Sequence, residues 1–232
     1  MKTVYFKSFC RRKVGLPLEI STLDPTKHSV STSQTLREVL EQRIISPNTR
    51  HHALPNRLSV SLPTPDFPGV YRPEGILFAT DNPLTYCVPF DLMALTNGST
   101  YTSHDYGSDF LLGFQDFVFQ DFRSMTDSFS NSKLALEALN AFRESHGLAK
   151  PNKKMDYNEI CFENDITIEP LGLIGTSSEI SGLSWDHKIK RYDSMDQYIM
   201  AKDKPVKYFL QELFYKALPY MFDACQGLAQ ER

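Results

Sequence analysis

The run Tyr157-Asn158-Glu159-Ile160-Cys161-Phe162 places a carboxylate inside a stretch that otherwise alternates as a buried strand does. Burying an unpaired charge costs on the order of several kcal/mol, so a glutamate there needs a partner or a function, unless it is a strand-end carboxylate at the surface. Glu163 and Glu169 read as residues of that surface kind. Two earlier stretches carry further chemistry-bearing groups. One is His28-Ser29, ahead of the helix-like TLREVLEQRI; the other is GVYRPEGILFATDNPLTYC (Gly69 to Cys87), with its tyrosines Tyr71 and Tyr86. In chain order these supply an imidazole, flat aromatic surface and a carboxylate. Taken singly, each also has a plain reading: a solvated loop histidine, a buried strand with its neighbours, a surface acid.

Other constellations are weaker. His51-His52 and His104-Asp105 lack the helical HxxxH or HExxH spacing of metal ligands, so no metal site is expected. Cys87 with His104 and Asp105 lacks the glycine-rich turn of a nucleophile, and no phosphate-cradling GxxxxGK[ST] or GxGxxG loop occurs. Lys150, Lys153, Lys154, Lys188, Lys190 and Arg191 form small basic clusters of the solvated kind.

The elements that must position these groups follow from pattern. The chain has 232 residues, 41% of them hydrophobic, enough for one substantial core. Its formal charge of -3 exerts no global pull on nucleic acid or anionic membranes. The four cysteines are scattered without a CxxC pair, which fits a reducing cytosol. The N-terminus is not ordered like a secretory signal, and no run of about 18 apolar residues suggests a membrane span. A soluble, cytoplasmic protein is expected, one that a host cell could also receive by delivery.

TVYFKSF alternates and reads as a strand. Thr35 caps a helix carrying Leu36, Val39, Leu40 and Ile44, with Glu38 at the capping-box position and Ser46-Pro47-Asn48 as its stop. Five prolines between Thr49 and Pro73 predict a meandering loop with at most a short edge strand. GILFAT reads as a buried strand and Asp81-Asn82-Pro83 as a helix start. Helices are expected over Asp109 to Phe122, and over Lys133 to Glu144 with Leu134, Ala138, Leu139 and Phe142 inward. Strands follow around 160–162, 166–168 and 171–174, and a helix from Pro205 to Leu228 that Pro219 kinks or breaks.

The three stretches together resemble the ADP-ribosyltransferase catalytic family, through its histidine strand, its "G-x-Y-G-K-G-I-Y-F-A" segment with a downstream tyrosine, and its "Y-N-E-Y-I-V-Y" strand. The resemblance covers about half of the chain. It implies an α+β fold, a split β-sheet core with flanking helices over 1–175, and a largely helical C-terminal extension over 176–232 packed on the same domain. It also implies NAD as substrate. Cleaving the nicotinamide–ribose bond develops positive charge on the ribose, which calls for a nearby carboxylate and for groups that hold ring and sugar.

On that resemblance Glu159 stabilises the cation, His28 holds ribose, and Tyr86 stacks on nicotinamide. Tyr71, Ser29, Gly75, Leu77, Phe78, Ala79, Thr85 and Asn158 line the dinucleotide site. The pattern departs in two places: Leu77 stands where the family has its first stacking tyrosine, and Ser29 where glycine is usual. A rival alignment makes TVYFKSF the first catalytic strand and puts Tyr5, Lys7 or Ser8 in the pocket instead of His28. The implied activity is transfer of single ADP-ribose units to a macromolecule, a protein side chain or a nucleic-acid base, as in bacterial toxins, effectors or phage-defence enzymes. A partner protein or antitoxin is then expected. The alternatives are a non-catalytic interaction protein on a similar or unrelated α+β fold, and an NAD glycohydrolase.

Overall fold

The computed structural model describes residues 2–10, 19–20, 34–46, 58–91, 115–147, 156–176, 180 and 189–202. The chain divides into two compact units, Met1–Met195 and Asp196–Arg232. In the second, the described residues 196–202 are helical. The expected helix from Pro205 to Leu228 lies outside the described residues, as do His28, Ser29 and the histidines at 51, 52 and 104.

The first unit is mixed α+β with several sheets. Its largest sheet has six strands in the order β11-β10-β6-β1-β2-β3. In chain order these are β1 (Tyr5–Cys10), β2 (Glu19–Ile20), β3 (Gln34–Thr35), β6 (Gly75–Ala79), β10 (Glu169–Ile174) and β11 (Lys190–Tyr192). A three-stranded sheet runs β5-β8-β7, from β5 (Leu58–Val60), β7 (Tyr86–Val88) and β8 (Glu159–Phe162). A short pair joins β4 (Ile44–Ile45) to β9 (Ile166–Thr167). The sheet therefore continues past residue 175, because β11 pairs in parallel with β10.

Alternation decides how these sheets share a core. On β1, Tyr5 and Phe9 face inward, and the same face of β6 supplies Ile76 and Phe78. From the small sheet come Leu58, Val60, Cys87, Ile160 and Phe162. Tyr5 meets Phe162 edge-on at 5.6 Å between ring centres, so the strand of Glu159 is packed directly onto β1. A backbone bridge between Phe6 and Ser61, with N···O distances of 2.7 and 2.8 Å, ties the two sheets where β1 passes β5. Gly75 sits opposite Ser8, and a side chain there would collide with the Phe6 ring and the Lys7 carbonyl; the close approach of β6 to β1 requires glycine.

Both faces of the small sheet are covered. Tyr86, Val88 and Cys161 lie on its far side in a second core with Phe90, Phe117 and Leu139. That side is closed by helix α3 (Ser132–Ser145), which follows the short helix α2 (Phe122–Ser128).

Several local expectations hold. Helix α1 (Leu36–Gln42) has the full capping box, with the Glu38 amide donating to Thr35 Oγ1 at 3.2 Å and the Thr35 amide donating to the Glu38 carboxylate at 2.8 Å. The loop after Thr49, where described, contains only the short strand β5.

Others are corrected. Helix α1 ends earlier than expected, because Arg43 adopts the left-handed conformation at φ 55°, and Ile44 then enters β4. Asp81-Asn82-Pro83 starts no helix: the Asn82 carboxamide accepts the Thr167 amide at 2.9 Å, and the chain turns into β7. Of the helix expected over 109–122, the described part is a 3-10 turn at Gln115–Phe117 followed by extended chain, with Phe119 bridged to Cys87. Its phenylalanines serve two different cores, Phe117 the second and Phe119 the first, which one helical stripe would not do. In α3 the buried face is Ala135, Leu139 and Arg143, while Leu134 is outward at 46% exposure.

Candidate functional site

Glu159 opens β8 on the face that Cys161 shares with Tyr86 and Val88, directly opposite Val88 of β7. Its lead-in is held by Asn158, which lies in register with Leu62 as the β5–β8 ladder continues past Val60↔Ile160. The Asn158 carboxamide completes that rung in place of backbone: Oδ1 accepts the Leu62 amide at 2.7 Å, and Nδ2 donates to the Leu62 carbonyl at 2.8 Å. Both bonds are buried, so nothing but protein can make them. Asn158→Ala is therefore expected to cost about 2–4 kcal/mol, two buried backbone groups losing their partners, read as a lower urea midpoint with the slope unchanged.

Glu159 itself is half-buried. Its Oε1 accepts a hydrogen bond from Ser59 Oγ at 2.6 Å, diagonally across the β5–β8 ladder, in which Ser59 pairs with Cys161. From the opposite side comes Lys7 of β1, only 4% exposed, whose ammonium donates to the Ser59 carbonyl. Burial pulls the Lys7 ammonium down to about 7, against the opposing pull of the Glu159 charge. One residue thus links the two sheets: Ser59 takes a proton donor from β1 on its carbonyl and offers its hydroxyl to the carboxylate of β8.

Around this centre Tyr157, two residues before Glu159, is buried and hydrogen-bonds the carboxylate of Asp91, itself buried just beyond β7. Burial holds the Tyr157 phenol far above its usual range, reinforced by the negative charges of Asp91 and Glu159. Tyr71 meets the Tyr157 ring edge-on at 5.9 Å and keeps 39% of its surface exposed. The Arg72 guanidinium lies over the Tyr71 ring at 5.2 Å. The Tyr71–Arg72 loop is anchored to β1, since Ser8 Oγ accepts from the Arg72 amide at 3.2 Å.

The other expected site residues are placed as follows. Tyr86 is a core side chain, 3% exposed, and offers no ring face at the surface. Gly75, Leu77, Phe78 and Ala79 are all buried in β6, where Phe78 packs on Tyr5. Thr85 is half-buried and its amide donates to the Cys161 carbonyl at 2.7 Å. Asn158 spends its amide on Leu62. Glu159 and Lys7 meet at Ser59, Tyr71 lies against Tyr157, and Ser8 holds the Arg72 amide; Tyr5 stays in the core. Glu169 is exposed and paired with Lys2 at 2.6 Å.

Cys87 is a buried thiol: burial pushes it up to about 12, with the Asp121 charge adding to the shift. Among the described residues no group of three or more His, Cys, Asp or Glu side chains is arranged to hold a metal. No helix among them is long and apolar enough to cross a membrane.

Sequence reasoning missed Ser59, Asp91 and Arg72. The signal for Ser59 is present in Leu58-Ser59-Val60, a hydroxyl between two inward apolar residues; Asp91 has none, because its partner Tyr157 lies far away in the chain, and Arg72 matters only through the loop that holds Tyr71 beside Tyr157.

No family model, no curated protein and no solved structure matches this chain.

Proposed function

We propose that this protein transfers ADP-ribose from NAD to a macromolecular acceptor, one unit at a time, with Glu159 as the carboxylate that stabilises the charge developing on the ribose. The observation that carries the reading is Glu159 itself, half-buried at the head of its strand, fixed by Ser59 and backed by the buried Lys7. In the reaction the bond from ribose C1' to the nicotinamide nitrogen breaks, and its electron pair leaves with nicotinamide. A lone pair of the acceptor forms the new bond to C1', and the acceptor's proton passes to the carboxylate or to solvent. A carboxylate held in place beforehand favours this because it need not reorganise as charge appears.

The residue types around Glu159 suit a dinucleotide. Tyr71 is the aromatic ring with exposed surface beside Tyr157, so it takes over the ring-holding role that the resemblance gave to Tyr86. Arg72 next to it carries a guanidinium of the kind that pairs with phosphate. The ribose-holding group is either His28 or a member of β1, of which Lys7 meets Ser59 and Ser8 holds the Arg72 amide. The acceptor is a protein side chain or a nucleic-acid base, and the biological setting suggested by the resemblance is a toxin, effector or phage-defence enzyme.

The burial of Tyr86 favours a second reading, a non-catalytic interaction protein that keeps the carboxylate strand without a dinucleotide cleft. NAD labelled in its adenylate moiety separates these. Incubation with cell lysate is expected to yield label on macromolecules, with protease and nuclease digestion assigning the acceptor. Label found only in free ADP-ribose would mean hydrolysis, and unaltered NAD without thermal stabilisation of the protein would favour the interaction protein.

A further inference from the structure

A buried lysine in the middle of an alternating strand is an expensive side chain to keep, and the fold does not need its charge for packing. On β1, Lys7 stands between Tyr5 and Phe9, both in the main core, and opposite Ile76 of β6. An apolar residue would fill this place at lower cost. The groups that Lys7 meets are instead those of the candidate site. β6 presents only the aliphatic Ile76, β5 presents the Ser59 carbonyl, and β8 presents the charges or dipoles of Glu159 and Cys161. Behind Glu159 stand Tyr157 and Asp91.

We infer that Lys7 is a positioning residue for Glu159: its ammonium fixes the Ser59 backbone, the Ser59 hydroxyl fixes one carboxylate oxygen, and the lysine charge favours the ionised carboxylate. The inference rests on the proposed role of Glu159. Lys7 acts through Ser59 and through its field, without touching the reacting atoms. Three elements are thereby locked in one geometry, since β1, β5 and β8 each contribute one member.

The lysine fulfils this role only while protonated. Because burial brings its ammonium down to about 7, the device weakens as pH rises through neutrality. An alkaline limb near neutral pH belongs to Lys7 in this scheme.

The test uses the full chain with Lys7→Met, which keeps an unbranched stem, and Ser59→Ala, which removes the hydroxyl. Nicotinamide release from NAD is followed between pH 5.5 and 9. Both variants are expected to lose roughly tenfold or more in kcat, as is usual when a group that orients an active residue is removed, with KM for NAD little changed. Lys7→Met is expected to lose the alkaline limb as well. A folded Lys7→Met protein with the kcat and pH profile of the wild type would overturn the inference.

A second readout is independent of turnover. The Glu159 carboxyl, followed by carbon NMR against Glu159→Gln as the assignment control, is expected to titrate at higher pH in Lys7→Met and in Ser59→Ala than in the wild type. Inactivity of every form, wild type included, would remove the transferase reading alone; unshifted titration in both variants would remove the positioning role. If Lys7→Met fails to fold, Ser59→Ala carries both readouts.

Discussion

Glu159→Gln is expected to reduce nicotinamide release from NAD by about 10²-fold or more, the loss typical of removing one preorganised group that faces developing charge. The substitution is nearly isosteric, and a carboxamide oxygen still accepts the Ser59 hydroxyl, so β8 keeps its place in the sheet. Stability is expected to stay within about 1 kcal/mol of the wild type, because Glu159 is half-buried and the carboxamide has nearly the same shape as the carboxylate. The pair of results distinguishes chemistry from folding. Loss of activity together with a large fall in urea midpoint would make Glu159 a structural residue.

The second large effect concerns stability and pH. The Lys7 ammonium has a folded-state pKa of about 7 against an ordinary value of 10.5. Between those values the unfolded chain holds a proton that the folded chain does not. Wild-type stability should therefore rise from about pH 7 towards pH 10, with a slope from this residue of up to about 1.4 kcal/mol per pH unit. Below pH 7 the buried charge is a net cost, because desolvation outweighs the attraction of Glu159; otherwise the pKa would not fall.

Lys7→Met should accordingly be more stable than the wild type at pH 6, by on the order of several kcal/mol, with the advantage shrinking as pH rises. Urea titrations of both proteins at pH 6, 7.5 and 9 measure the difference, in which groups common to the two cancel. An advantage that stays constant across that range would contradict the assignment of the slope to Lys7. Greater stability with lower activity is the expected exchange when a strained group is retained for function.

The sequence made some of this legible and not the rest, for physical reasons visible at particular residues. The β8 run could be read because alternation and a misplaced carboxylate are local signals, and the structure gives Glu159 a hydroxyl partner on the neighbouring strand. The capping box at Thr35 and Glu38 is equally local. Tyr86 looked like a ring presented to a ligand. Its burial depends on Phe117 and Leu139, which come from segments about 30 and 50 residues further on, and no local pattern announces them.

The failed helix start at Asp81-Asn82-Pro83 has the same origin, since its capping side chain is taken by Thr167 of the distant strand β9. Lys7 is visible in the strand TVYFKSF as a rival for the pocket, and Ser59 as a hydroxyl between Leu58 and Val60, but nothing local says that the two meet across 52 residues. Nearness of β1 to β8 follows from the packing of one sheet on the other, which propensity does not encode.

The account turns on whether Glu159 faces the ribose of NAD. Nicotinamide release by the wild-type protein, measured side by side with Glu159→Gln at pH 6.5 in the presence of lysate acceptors, addresses this most directly. Release by the wild type that falls by about 10²-fold in the variant, matched by the loss of label from macromolecules, is the predicted result. Equal release by the two proteins, or none by a wild type that is folded and saturated with NAD, would contradict it.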